Sequence, residues 1–379
     1  MKVNILGVAT TEFGELWNKS PRALARQAIE GTLKDAKLKA KDIDALYVGN
    51  MLAGILGNQA NLGAFFAEEL GLLVPAIRVE GACASGGLAL NSGVNSILAG
   101  QYETVLVLGI EKMTDSSQDD VTTGLMAAGS DNERMAGATF PGIYALMAQD
   151  YMDKYNVTEE TLASISVKNH FHGFLNDKAQ FRKQITVEDV MKSGRIADPL
   201  KLLDCSPISD GASAVVISSK SSKSKNVYIS ASEVGTDTLA LHSRKSFVSL
   251  GSVVGATVRA YKKTGLKPED IDVAEIHDCF SIAEAIAVED LGFSKRGEGA
   301  RDIESGKMTI GKGKIVTNPS GGLKACGHPV GATGIKQIVE ITTQLRGEAG
   351  ERQVKGAKIG LTHNVGGSGA VAAVHIIQI

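Results

Sequence analysis

The sequence predicts an α/β protein built from two related, layered halves. Three observations carry that prediction. Strand-like apolar runs such as "TVLVLG" (104–109) and "KIGLTH" (358–363) alternate with amphipathic helical patterns, as in sheets covered by helices. The chain also repeats itself. "LKDAKLKAKDID" (33–44) and "YKKTGLKPEDID" (261–272) share six of twelve positions: Lys34/Lys262, Leu38/Leu266, Lys39/Lys267, Asp42/Asp270, Ile43/Ile271 and Asp44/Asp272. Each half then shows a glycine-rich turn ahead of a helix, "GACASGGLALNSGVNSILAG" or "ACGHPVGATGIKQIVEITTQL", and ends in a strand-like "DGASAVVIS" or "GSGAVAAVHI". Matching elements in matching order place the halves at about 1–222 and 226–379.

Read in order, the opening "MKVNILGVATTEFG" is a strand and a turn, without the apolar core and cleavage site of a signal peptide. No apolar run approaches the roughly 20 residues of a membrane helix. Residues 113–197 have no counterpart in the second half and read as an insertion. It is rich in methionine and glycine at its start (Met113, Met126, Met135), then helical around "YALMAQDYMDKY" and "EETLASISVKNHF". The polar "SSKSSKSKN" (218–226) reads as a solvated link, and the final "VHIIQI" carries no peroxisomal address.

Composition narrows the function. The chain has 379 residues, of which 43% are hydrophobic, enough for a large core. A net charge of -2 argues against nucleic acid or an anionic membrane as the partner. Its 43 glycines exceed the usual share of roughly 7%, and no collagen-like period absorbs them, so they mark tight turns and close backbone approaches. Cys83, Cys205, Cys279 and Cys326 show no paired spacing, which suggests a reducing cytoplasm and neither a disulfide framework nor a zinc site.

Three turns carry chemistry. In "VEGACASGGLAL" (79–90), Leu90, Val94, Ile97 and Leu98 follow helical spacing up to Gly100, so Cys83 stands at a helix entrance. The dipole and free N–H groups there favour a thiolate, lowering a pKa that starts near ~8.5. Ala82, Ala84, Gly86 and Gly87 would let a substrate approach. A free thiol is usually a small apolar core residue. That reading suits Cys205 and Cys326, whereas Cys83 reads as a nucleophile. In "EIHDCFSIAEAI" (275–286), an extended backbone would project His277 and Cys279 to one side and Asp278 to the other. Ser281 and Glu284 are spaced as a capping box. In "GGLKACGHPVGATG" (321–334), Pro329 suits the first position of a helix, which puts His328 at its positive end and keeps the imidazole neutral. A fourth stretch, "LTHNVGGSGA" (361–370), sets His363 and Asn364 before a glycine turn whose N–H groups could bind an oxyanion. His170, His172, His242 and His375 read as ordinary structural or surface residues.

Together the four stretches resemble the thiolase family from end to end. Two departures, "HDCF" in place of an Asn-Glu-Ala-Phe motif and His363-Asn364-Val365 in place of a Cys-x-Gly, match its sterol-carrier-protein-like branch. That branch includes the archaeal acetyl-CoA acetyltransferases. The resemblance implies a thiolase fold with an inserted loop domain (about 113–197) over the pantetheine arm. It also implies Claisen condensation of two acetyl-CoA to acetoacetyl-CoA and CoA, the coenzyme A thioesters being substrates, with no cofactor and no metal. Cys83 is the implied nucleophile and His328 its base, with His277 and His328 holding the enolate oxygen. The implied carbon-acid base is Cys279, with His363 as a secondary candidate, and the acyl oxyanion would rest on N–H groups of Cys83 and the turn near Val365 and Gly366. Further implications are a cytoplasmic homodimer or homotetramer, a role supplying the mevalonate pathway, and a complex with HMG-CoA synthase through a zinc-ribbon/OB-fold protein. The alternatives are a degradative 3-ketoacyl-CoA thiolase for longer chains and a non-catalytic scaffold subunit.

Overall fold

The computed structural model describes residues 2–221 and 226–379, so four positions of the expected link lie outside the described residues. The first half runs β1 (Val3–Thr10), α1 (Pro21–Ala36), β2 (Ala45–Gly49), α2 (Leu62–Glu69), β3 (Ala76–Val79), α3 (Ser85–Leu98) and β4 (Thr104–Glu111). The insertion supplies α4 (Gln118–Met126), α5 (Asp131–Met135), α6 (Phe140–Tyr155), α7 (Glu159–Phe174), α8 (Val187–Lys192) and the short pair β5 (Arg195–Ala197) and β6 (Leu200–Lys201). Strand β7 (Gly211–Ser218) closes the half. The second half runs β8 (Tyr228–Thr236), α9 (Gly251–Thr264), β9 (Val273–Ile276), α10 (Ser281–Asp290), α11 (Gly299–Glu304), β10 (Val316–Thr317), α12 (Gly322–Cys326), α13 (Val330–Arg346), β11 (Ile359–Gly366) and β12 (Val371–Gln378).

Ten strands join in the order β10-β9-β11-β12-β8-β1-β7-β4-β2-β3. Read outward from the central β8–β1 contact, each half has the same order and the same mixture of parallel and antiparallel pairs. The repeated motif does the same work twice. The backbone N–H of Lys39 donates to Asp42 and that of Lys267 to Asp270, both at 2.8 Å. Two residues on, Asp44 accepts from the N–H of Thr104 where β4 begins, and Asp272 from that of Ile359 where β11 begins.

Helices α3 and α13 lie between the two half-sheets, packed on each other. Strand alternation sorts the core: Val105 and Val107 face these central helices with Leu90, Val94, Ile335 and Ile338, while Leu106 and Leu108 face α1 with Leu24 and Ile29. The glycines expected to admit substrate serve this packing instead. A Cβ on Gly86 would stand 2.8 Å from the Gly331 carbonyl, and one on Gly334 2.3 Å from the Gly87 nitrogen. The expected capping box at α10 is absent as well. Ser281 donates to Asp204, and Glu284 is spent on a buried ion pair with Lys168, fixing the insertion to the second half. Among the described residues no helix is long and apolar enough to cross a membrane.

Candidate active site

Cys83 occupies a single 3₁₀ turn, Ala82–Ala84, immediately ahead of α3. The turn is tight enough to hold Ala82 at a φ of 52°, an unfavourable value for a residue with a Cβ. Three contacts hold it: the Ala82 N–H on Glu80 (2.6 Å), the Ser85 hydroxyl on the Ala82 carbonyl (2.6 Å), and Asn364 Nδ2 donating to the Cys83 carbonyl (2.9 Å). The predicted helix entrance is therefore present, but its expected electrostatic effect loses. Burial, helped by the nearby Glu111 carboxylate, pushes the thiol up to about 12 against donation from the N–H groups of Gly367 and Cys83 itself. At rest Cys83 is a thiol.

His328 stands beside Cys83. Its Nδ1 lies 2.7 Å from Thr333 Oγ1, whose own proton goes to the Pro329 carbonyl at 3.1 Å. With its one proton spent, the threonine accepts, so Nδ1 carries hydrogen and Nε2 offers a lone pair. Burial, then the Lys336 ammonium, takes His328 down to about 3, so the ring is neutral as expected but chiefly for a different reason than the helix dipole. Pro329 is the residue capping α13 and not its first.

His277 has the opposite tautomer, and Asn364 decides it. The Asn364 amide cannot be flipped: its Oδ1 accepts from the Gly87 N–H (3.1 Å) and its Nδ2 donates to the Cys83 carbonyl. Nδ2 also faces His277 Nδ1 at 3.3 Å, so Nδ1 accepts and the ring proton sits on Nε2. The two rings meet edge to face, 5.0 Å between centroids, and neither Nε2 has a partner among the described residues. The Cys83 sulfur and one ring nitrogen each of His277 and His328 lie within 4.8 Å of one another. That is also a set of metal-ligand types, but a ligating nitrogen needs a free lone pair and His277 Nε2 holds a proton, so the set fits a metal poorly.

Cys279 projects to the same side as His277, and Asp278 to the other. The Asp278 carboxylate accepts from the N–H groups of Leu323 (2.7 Å) and Lys324 (3.3 Å) at the start of α12, tying "HDCF" to the loop that carries His328. Burial and the neighbouring Cys83 push the Cys279 thiol well up, while Tyr144 pulls it down. His363 lies beside this group and not within it: its Nδ1 accepts from the His277 N–H at 3.3 Å. Val365 packs in the core with Tyr144 and Phe280. In the turn that follows, the Gly367 N–H opposes burial by drawing the Cys83 pKa down. A cleft of about 380 Å³ opens beside Ala82 and Gly367, lined by Met51, Glu80, Ala128 and Leu239. A larger one of about 540 Å³, along Arg22 and Arg26 on α1, holds none of these groups.

Known proteins share this arrangement of the chain. Residues 3–221 match the family described as "Thiolase, N-terminal domain", and residues 234–379 the one described as "Thiolase C-terminal domain-like". The chain belongs to the thiolase family. As a thiolase it is an acyltransferase, and the expected branch agrees with its relatives. It is 49% identical over 99% of both chains to an acetyl-CoA acetyltransferase of Methanothermobacter thermautotrophicus, and 44% identical to one of Methanocaldococcus jannaschii over 99% of this chain and 98% of that one. Human sterol carrier protein 2 is 36% identical over 98% of this chain and 71% of its own length. Among solved structures, the Ltp2–ChsH2(DUF35) aldolase superposes with a TM-score of 0.84 at 23% identity, covering 99% of this chain and 97% of that one. Human mitochondrial 3-ketoacyl-CoA thiolase in complex with CoA superposes at 0.75 and 20% identity, covering 100% and 98%. Both are likenesses of fold.

Sequence reasoning missed four residues that shape this thiolase site. Asn364 and Thr333 set the two tautomers. Tyr144 sits on the Cys279 side, and Glu111 ties the loop at Met51–Leu52 to the Gly331 N–H of the His328 loop, its bonds being 3.0–3.1 Å. Asn364 lay inside a stretch already quoted, so the strand alternation that parts it from His363 was the signal to use. Tyr144 and Glu111 carried no local signal, because their partners are far along the chain.

Proposed function

We propose that this thiolase is an acetyl-CoA C-acetyltransferase, joining two acetyl-CoA to give acetoacetyl-CoA and CoA through an acetyl-cysteine. The observation that carries the reading is the pairing of two buried thiols with two imidazoles of opposite tautomer. Cys83 gives its proton to His328 Nε2 as its sulfur attacks the first thioester, whose oxyanion rests on the N–H groups of Cys83 and Gly367. Collapse expels CoA as a thiolate, which takes the proton from His328 Nε2 and leaves as CoA.

A second acetyl-CoA then enters; Cys279 gives its proton to the neutral His328 Nε2, and the thiolate so formed removes a proton from the methyl carbon. A thiolate destabilised by burial is a strong base for a weak carbon acid. The enolate oxygen meets two N–H donors, His277 Nε2 and the now protonated His328 Nε2. The carbanion attacks acetyl-Cys83. Cys83 leaves and recovers its proton from His328, so both thiols end as they began. No step needs a metal or a resident cofactor. His363, through the His277 N–H, supports the donor ring and ranks below Cys279 as base.

The narrow cleft lined by small residues suits a pantetheine arm. The open edge of β3, with Ile77 half-exposed, suits pairing with a second copy, and a homodimer or homotetramer in the cytoplasm is part of the proposal. So are supply of the mevalonate pathway and docking to HMG-CoA synthase through a zinc-ribbon/OB-fold protein. The test is CoA-dependent cleavage of 3-ketoacyl-CoAs of rising length. Acetoacetyl-CoA should have the highest kcat/KM. Equal values through six carbons and beyond would move the protein to degradative thiolysis, and no cleavage at any length would leave a scaffold.

A further inference from the structure

Helix α7 of the insertion turns one face to the second half. Asn169, His172 and Gly173 share that face by helical spacing, with Asn176 just beyond the helix end. Both ring nitrogens of His172 are used: Nδ1 donates to the Asn318 carbonyl (3.0 Å), and Nε2 accepts from the Ile310 N–H (3.1 Å). A Cβ on Gly173 would stand 2.6 Å from that of Ala325 on α12, and Asn176 donates to the Ser320 carbonyl at 2.9 Å. Asn169 reaches furthest. Its Nδ2 lies 2.7 Å from Asp278 Oδ2 and 2.7 Å from Glu284 Oε2, on two fully buried acids. An amide oxygen set against two carboxylates would be repelled, so the nitrogen is the atom placed there, and each of its protons goes to one acid.

We propose that Asn169 is a positioning residue for the carbon-acid step, holding Asp278 so that His277 and Cys279, on either side of it, keep their places. Among the described residues it is the one side chain hydrogen-bonded to Asp278; the other donors are the N–H groups of Leu323 and Lys324 on α12. Burial and the Glu284 carboxylate push the Asp278 carboxyl up, against the Leu323 N–H and the ammonium groups of Lys336 and Lys168. Lys168 is itself committed to Glu284 and to the Thr317 hydroxyl. The Asn169 amide is what lets the two acids lie side by side. The inference rests on His277 as enolate donor and Cys279 as base.

His328 has anchors of its own. Its N–H donates to the Ser209 hydroxyl at 2.9 Å and its Nδ1 to Thr333 at 2.7 Å, and neither contact involves Asn169. Loss of Asn169 therefore disturbs the half-reaction that uses His277 and Cys279 and spares the one that uses Cys83 and His328.

The experiment uses the full chain as Asn169→Leu, as Asp278→Asn and as the two together. Asn169→Leu nearly keeps the volume and removes both hydrogen bonds. Misplacing reacting groups by about 1 Å costs on the order of 100-fold, so acetoacetyl-CoA thiolysis should fall by about tenfold to a hundredfold while CoA/acetyl-CoA exchange stays within about threefold. The double variant should thiolyse no more slowly than the slower single one, because each removes the same contact. Asn169→Asp, of unchanged size, can donate only while its new carboxyl is protonated, so its ratio of thiolysis to exchange should recover as pH falls. That variant carries the test if Asn169→Leu does not fold. Equal loss of exchange and thiolysis overturns the proposal and marks a purely structural contact. So does an unchanged ratio, or losses that multiply in the double variant. If Cys279→Ala thiolyses like the unaltered enzyme, the base assignment fails, while the cycle between positions 169 and 278 still reports on the positioning.

Discussion

Replacing Thr333 by valine tests whether a single hydroxyl sets the base. Valine keeps the branched shape inside α13 and removes the only acceptor of the His328 Nδ1 proton among the described residues, a bond of 2.7 Å in a fully buried position. A buried donor left unpaired costs about 1–3 kcal/mol. That cost falls on the tautomer with hydrogen on Nδ1, the form whose Nε2 can take the Cys83 proton. The ring then moves toward the other tautomer, and the reactive fraction drops about fivefold to 150-fold. Both half-reactions use His328, so CoA/acetyl-CoA exchange and acetoacetyl-CoA thiolysis should fall by the same factor, with little change in KM. Lower pH should not restore activity, because burial takes His328 down to about 3. Thr333→Ser, which keeps the hydroxyl, should stay close to the unaltered enzyme. Exchange at the full rate in a correctly folded Thr333→Val protein would refute the tautomer argument. Unequal loss in the two assays would refute the shared role of His328.

Cys279→Ala should still acetylate Cys83 and exchange CoA with acetyl-CoA, while condensation and thiolysis fall by about 10²–10⁴-fold. Condensation at the full rate, together with its loss in His363→Ala, would make His363 the base. Cys83→Ala should abolish exchange, condensation and thiolysis alike, and any surviving exchange would remove Cys83 as nucleophile. Glu111 offers a test by stability. Burial raises its pKa from 4.5 to about 7, so the native state holds a proton that the unfolded chain has lost, and stability contributed below pH 4.5 drains away as pH rises through about 7. The contribution is about 3 kcal/mol, and Glu111→Gln should flatten that part of a denaturation series. An unchanged slope would mean that Glu111 ionises normally.

The sequence alone determined a good deal. Strand and helix periods gave the layered class, because apolar spacing reflects which face an element buries. The repeat at 33–44 and 261–272 exposed the duplication, because both copies cap a strand start with the same aspartates. The turns around Cys83, His277 and His328 were readable as places where chemistry-bearing residues meet helix entrances or strand ends. Charge states were not readable. Local reasoning gave Cys83 a low pKa from a helix dipole, whereas desolvation by both halves outweighs it, and burial is a property of the assembled core. The tautomers of His277 and His328 were also out of reach, since each depends on where a neighbour's last hydrogen bond goes. For Asn364 the deciding partners are Gly87 and Cys83, more than 270 residues earlier. The glycines of both turns promised open space for substrate, but tertiary structure spends them on bringing α3 and α13 into backbone contact. Tyr144 belongs to the same class: only the packing of α6 against α10 sets its ring against Phe280, and no spacing along the chain encodes that contact.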